Sequence, residues 1–353
     1  MRVVLILLLL MAYFGVETAG QNTTTQKITA DNVSFLRSVA RIDFNEYASE
    51  WGEINAGWFA LDNHGERALV REGTRHVVIE LFDPLENTVV EDSGDTLDAA
   101  FVGSTGAYTL LTRRDVAHSV IYYTPDGDDL SYSLEDSSGI PLAIWPGDDT
   151  DVAQVWLEIM SSASDTNVLS VQLGDYAASF LPYGPEDDPE AVVRIGRIPP
   201  PYVVTSSLQG LVKLWNLETT EVIFEVDNGT GQPSVFGNIN ADATHLVWRD
   251  NANRNLYLLD FVTGENQLIA ELDGAYVQWF FLSYDASVIL GVNVAGEPVV
   301  VAWDVSTGER YVLGEYLPCE RPQPDMARLS EDGSTLVIGC DGGLEAWRIQ
   351  QEE

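Results

Sequence analysis

Val299-Val300-Val301-Ala302-Trp303-Asp304, followed by the turn Ser306-Thr307-Gly308-Glu309, decides how this chain folds, because the same pattern returns at a fixed interval. LVKLWN (211–216), LYLLDF (256–261) and LEAWRI (344–349) are its counterparts. Their closing pairs, Trp215-Asn216, Leu259-Asp260, Trp303-Asp304 and Trp347-Arg348, stand 44 residues apart. ETTE (218–221) and VTGE (262–265) repeat the turn. A constant period of this length means stacked supersecondary units, each one too small to bury its apolar face alone.

Upstream of the last three pairs lie INADATHLVW (239–248), LSYDASVILG (282–291) and LSEDGSTLVI (329–338). Each has a turn centred on an acidic residue (Asp242, Asp285 or Asp332) between β-rich runs. Asp beside Gly or Ala predicts a two-residue hairpin, and alternation on either side predicts strands with one side chain in two buried. One unit is thus strand a, hairpin, strand b, loop, strand c ending in the Trp-Asp-like pair, turn, strand d. Weaker copies place earlier strand-c ends at Phe82-Asp83, Tyr123-Thr124 and Val171-Gln172, giving seven units. The last unit stops after its third strand, and the apolar stretch Ser34–Ile42 precedes the first unit. Closure removes exposed sheet edges, so Ser34–Ile42 is expected to supply the missing fourth strand beside Leu344–Ile349.

The repeat resembles the WD40 family, whose blades carry Trp-Asp at the end of the third strand. Trp303-Asp304 matches literally, and the other three pairs are variants. The opening ITADNVSFLRSVARI (28–42) is similar to the lead-in of secreted bacterial WD40-repeat proteins. The resemblance covers about residues 28–350 and implies an all-β, seven-bladed β-propeller closed by an N-terminal strand. The family's Gly-His dipeptide is missing from every unit, so packing and strand ladders must hold the blades. Trp215, Trp303 and Trp347 are expected to fill the spaces between adjacent blades.

Residues 1–20 read as a signal peptide: Arg2, the apolar run Val3–Phe14, and Thr18-Ala19-Gly20 before Gln21. The run is shorter than the ~20 residues of a membrane span. The chain is therefore expected to be secreted, with residues 21–32 a flexible segment and 33–350 the propeller. An uncleaved signal anchoring it to a membrane is the alternative. Export permits a disulfide between the two cysteines, Cys319 and Cys340.

The formal net charge is −37, from 55 acidic and 18 basic residues. Such a surface repels nucleic acid and anionic membranes and attracts cations or a basic protein. The clusters DGDD (126–129), DDTD (148–151) and EDDPE (186–190) lack the spacing of a calcium loop. Solvated loops are their bland reading. No Gly-x-Ser-x-Gly elbow, phosphate-cradling loop or zinc-ligand spacing occurs, and no cofactor is implied.

Loops on a rigid scaffold are where function usually lives. In a propeller the d–a and b–c loops share one face, and here the d–a loops are long and acidic. They carry the candidate binding residues Tyr47, Trp51, Asp92, Asp95, Asp187 and Asp188. The function expected is an interaction scaffold outside the cytoplasm, binding a basic partner or a cation on that face. A propeller-fold glycosidase or lyase, with carboxylates lining the central channel, is the competing class. Three Asn-x-Ser/Thr sequons, at Asn22, Asn32 and Asn228, matter only in a glycosylating host.

Overall fold

The computed structural model describes residues 25–44, 59–72, 75–83, 87–91, 95–102, 107–114, 117–123, 129–133, 140–145, 154–160, 166–172, 177–181, 192–196, 202–216, 219, 221–240, 242–272, 276–294, 298–313, 322–340 and 342–350. Among them, 28 strands form seven four-stranded antiparallel sheets. A short 3-10 turn, Val33–Phe35, leads into β1 (Leu36–Asp43). The first sheet holds β2 (Phe59–Leu61), β3 (Arg67–Glu72), β4 (Arg75–Glu80) and β5 (Asn87–Glu91). The second holds β6 (Asp95–Val102), β7 (Ala107–Arg114), β8 (Ala117–Tyr123) and β9 (Asp129–Ser133). The third holds β10 (Ile140–Trp145), β11 (Gln154–Met160), β12 (Thr166–Gln172) and β13 (Ala177–Leu181). The fourth holds β14 (Val192–Gly196), β15 (Tyr202–Ser207), β16 (Leu211–Asn216) and β17 (Glu221–Asp227). The fifth holds β18 (Ser234–Ile239), β19 (His245–Asp250), β20 (Asn255–Asp260) and β21 (Asn266–Glu271). The sixth holds β22 (Val277–Leu282), β23 (Val288–Asn293), β24 (Val299–Asp304) and β25 (Arg310–Leu313). The last holds β26 (Pro322–Leu329), β27 (Leu336–Cys340) and β28 (Gly343–Ile349), with β1 as its outer strand. β1 runs antiparallel to β28, from Leu36 opposite Ile349 to Asp43 opposite Gly343.

The sheets adjoin through their first strands. β2 lies beside β6, β6 beside β10, β14 beside β18, β18 beside β22, β22 beside β26, and β26 beside β2. This stacking changes the burial pattern expected from the sequence. Every residue of β23 and β27 is buried, where alternation predicted one in two. A second strand has a neighbouring sheet on both sides, so both of its faces are covered, as in other doubly covered sheets. In the sixth sheet, Leu290, Val300 and Ala302 join the cluster shared with the seventh, while Ile289, Val301 and Trp303 join the one shared with the fifth.

Two further expectations are corrected. Phe82-Asp83 does not end the third strand of the first sheet. β4 ends at Glu80, with Ala68 opposite Ile79 and Arg67 opposite Glu80. Ile79-Glu80 is therefore the equivalent pair, and Ile79 stands 44 residues before Tyr123, in step with the repeat. The a–b hairpins have four-residue loops, not two. Asp62, Asn240, Ser283 and Ser330 each donate their backbone amide to the carbonyl five residues on. The third loop residue is left-handed in all four: Gly65, Ala243, Ala286 and Gly333 have φ of 64°, 53°, 58° and 71°.

Ordered packing also starts ahead of the expected boundary at residue 33. Ile28 is wholly buried, its amide donates to the Gly333 carbonyl at 2.9 Å, and Lys27 Nζ lies 3.1 Å above the Tyr284 ring. The segment thus straps the hairpins of the sixth and seventh sheets together.

Candidate functional site

Antiparallel order puts the a–b and c–d turns at one end of every sheet and the d–a and b–c loops at the other. The turn end is stitched by side chains. Asp62 Oδ1 accepts from the Glu66 and Arg67 amides at 2.7 and 3.2 Å. Asn240 Oδ1 does the same for Thr244 and His245, and Ser330 Oγ for Ser334 and Thr335. In the c–d turns the repeat's Asp performs this role. Asp260 Oδ1 accepts from the Val262 and Thr263 amides at 2.7 and 3.1 Å. Asp304 accepts from the Ser306 hydroxyl at 2.6 Å and the Thr307 amide at 2.8 Å. Those two donors hold the Asp304 carboxyl below the usual carboxylate range. The Trp-Asp signature is, at its second position, a turn-closing device.

Arg348 departs from this rule for a topological reason. No c–d turn follows β28, because β1 is its outer neighbour. The side chain reaches instead to the first sheet. Nε donates to Thr335 Oγ1 at 2.8 Å, and Nη2 donates to the His64 and Gly65 carbonyls at 3.2 and 3.3 Å. The guanidinium carbon sits 3.8 Å above the Phe82 ring. Beside it, His64 Nδ1 lies 3.1 Å from Asp332 Oδ2. Burial lowers the Arg348 pKa, and the charges of Glu66, Asp332 and Asp62 oppose that. The sequence gives one signal of this clasp, namely a basic residue where the other clear units have Asp or Asn.

Glu345 lies next to this seam and is almost fully buried. Burial pushes its carboxyl pKa up; Ser38, Arg41 and Trp347 act the other way without cancelling it. Neither Glu345 Oε2 nor Trp347 Nε1 completes a hydrogen bond of ordinary geometry among the described residues. A folded-state pKa above the unfolded one means that stability is full below the unfolded value and falls as pH rises through the folded one. Glu345→Gln should therefore raise the melting temperature, and by more at pH ~7 than at pH ~4. Equal shifts at both pH values would remove the carboxylate as the cause.

At the loop end, the described residues form a buried polar mesh between the fourth and fifth sheets. Asn228 Nδ2 donates to the Gln232 carbonyl and to Ser234 Oγ at 2.8 and 2.9 Å. Its Oδ1 accepts from the Thr230 amide and hydroxyl, and the Ser234 amide donates to Ser206 Oγ. Asn228 is 5% exposed, so its sequon cannot accept a glycan once the chain has folded. Asn32 uses its amide internally as well, donating to the Lys27 carbonyl.

The candidate binding residues Tyr47, Trp51, Asp92, Asp187 and Asp188 lie outside the described residues. Asp95 opens β6 at the loop end, in register with Arg113 of β7. Cys340 ends β27, the second strand of its sheet, opposite Gly343 at the start of the third. Its register partner is Pro322, three positions after Cys319, which lies outside the described residues. Trp303 and Trp347 are buried between sheets as expected, at 3% and 4% exposure. Trp215 is only partly buried, with Nε1 donating to Thr205 Oγ1 at 2.9 Å. Among the described residues no three His, Cys, Asp or Glu side chains converge on a metal position. No described helix is long and apolar enough to cross a membrane.

No family model matches the chain, and no curated protein matches it in sequence. Among solved structures it is similar to the crystal structure of the Myceliophteria thermophila Cps50 (Swd1) β-propeller domain. The TM-score is 0.60 at 8% identity, over 89% of this chain and 100% of that one. The likeness is one of fold, and the chain is an all-β propeller.

Proposed function

We propose that this chain is a seven-bladed, WD40-like β-propeller, exported from the cytoplasm, that serves as a rigid scaffold for protein interaction. The pairing of β1 with β28 and the neighbourhood of β26 and β2 support a ring fastened where its two termini meet. The Pro322–Cys340 register supports a bridge from Cys340 to Cys319, and no free thiol occurs among the described residues.

The observation that carries the scaffold reading is the asymmetry between the two ends of the sheets. The turn end is a repeated, side-chain-locked frame built from Asp62, Asn240, Ser330, Asp260 and Asp304. The loop end carries connections of variable length that include the acidic runs EDSGD (91–95) and EDDPE (186–190). A rigid base with variable loops is how scaffolds present binding residues. Acidity there selects a basic partner or a cation by charge complementarity, and Tyr47 and Trp51 supply the aromatic anchors common at interface hot spots.

The test is charge reversal on the full exported chain. Asp92→Lys, Asp95→Lys, Asp187→Lys and Asp188→Lys together should weaken binding of a labelled oligolysine peptide, with a loss that shrinks as salt is raised. Unaltered affinity would retire the loop face as the binding surface.

A further inference from the structure

The repeat's tryptophan is missing at one place in its clear run. Trp303 plugs the space between the fifth and sixth sheets, and Trp347 that between the sixth and seventh. The fifth sheet has Leu259 at this position, facing the fourth sheet. Trp248 of β19, stacked on Tyr257 with ring centroids 4.2 Å apart, fills the inner part of this interspace, and its outer part is lined by apolar side chains. Phe224 of β17 and Phe261 of the β20–β21 turn meet edge-on, with ring centroids 5.6 Å apart, and both stay only partly buried. Beyond them Val262 is 76% exposed. Leu268, 47% exposed, stands opposite Tyr257 on the sheet face that joins the same cluster.

The exposed carboxylates around this groove are Glu221, Glu265 and Glu271. The basic side chains nearby are His245, whose Nε2 lies 3.9 Å from Asp260 Oδ2, and Arg254 in the β19–β20 turn, at the Glu271 end of β21. The molecule also shows how such an interspace takes a chain. Between the sixth and seventh sheets the N-terminal strap is seated with Ile28 and Val33 buried in the shared cluster. Lys27 precedes that anchor and caps the Tyr284 ring.

We propose that the groove between the fourth and fifth sheets docks an extended segment of a partner protein, one that presents an aliphatic or aromatic anchor beside a lysine or arginine. This rests on the scaffold reading but not on the loop face. The anchor covers Leu268, Val262 and the two phenylalanine rings, and the cation meets Glu265, with Glu271 adding negative charge at the other end of β21. Anchors of this kind carry most of the energy of small interfaces, and the surrounding acidity sets orientation and encounter rate.

The experiment uses the full chain and a short labelled peptide with one phenylalanine between two lysines in a glycine-serine background, followed by fluorescence anisotropy. Binding should weaken about tenfold or more in the Leu268→Ser/Val262→Ser double variant. It should weaken again when the peptide's phenylalanine is replaced by serine, and salt sensitivity should drop in Glu265→Gln/Glu271→Gln. All the altered side chains are exposed, and matching melting curves certify the folds. Equal binding of the phenylalanine and serine peptides would overturn the proposal. So would unchanged affinity in the Leu268→Ser/Val262→Ser variant together with loss in Asp187→Asn/Asp188→Asn, an outcome that leaves the loop-face reading standing. A dimer in sedimentation that Leu268→Ser dissociates would assign the groove to a second copy and overturn it as well.

Discussion

Replacing Trp303 by alanine should lower the melting temperature by about 4–7 °C. The side chain is 3% exposed. It fills the space between the fifth and sixth sheets together with Val247, Leu256, Leu258 and Ile289. Its ring lies over Gly291 of β23, where a Cβ would come within 2.8 Å of it, so the neighbouring strand has no side chain to slide into the hole. Truncation of a buried aromatic costs about 3–5 kcal/mol, from lost transfer energy plus an unfilled cavity. Unfolding entropy scaled to a domain of this size converts that into the stated fall. Trp215→Ala provides the internal comparison, because Trp215 is partly exposed and should cost less than half as much. Calorimetry on the two variants decides the matter. An unchanged curve for Trp303→Ala, or equal losses for both, would show that the repeat's tryptophans do not owe their place to the interspaces.

What the sequence revealed and what it hid follow from where each residue's constraint comes from. The third strands of the fourth, fifth and sixth units were legible because two constraints coincide at their ends, of which the seventh keeps only the first. A bulky side chain must fill an interspace, and an Asp or Asn must close the next turn. The first unit was misplaced by three residues because Phe82-Asp83 imitates that pair. Phe82 is in fact a 41% exposed side chain serving as a platform for Arg348. Alternation misjudged β23 and β27 because it assumes one dry face, and a sheet stacked on both sides has two. The pairing of β1 with β28 followed from counting strands. The Arg348 clasp did not, since its acceptors are the His64 and Gly65 carbonyls, which no sequence pattern marks. The groove beside Leu268 was hidden for a related reason. EVIFEVD (221–227) and NQLIAE (266–271) read as ordinary outer strands, and only the register shows which of their apolar side chains meet water.

Gly343→Val should lower stability by about 3 kcal/mol, chiefly by loosening the outer strand of the last sheet. Gly343 opens β28 opposite Asp43, the last residue of β1. A Cβ added there would press into the Ile42 carbonyl oxygen, and the next nearest atoms are also backbone, Ile42 C and Asp43 Cα. A side chain tip could turn aside, but a paired strand cannot, so the end of β1 must withdraw. Withdrawal breaks the register between Ile42 and Leu344 and the 2.7 Å bond from the Phe44 amide to the Gly342 carbonyl. It also uncovers Ile42 and Phe44, which are both 2% exposed and packed against Val70, Val77 and Val337. Hydrogen exchange locates the damage: amides of residues 40–44 should lose protection while those of β15 and β19 keep theirs. If the ring is fastened here, melting should stay a single transition that moves down as a whole, because opening the seam uncovers the first and last sheets together. A two-step melt, with β1 released well before the rest, would mean that the sheets stand without it. The propeller would then survive as a stack whose ends happen to touch.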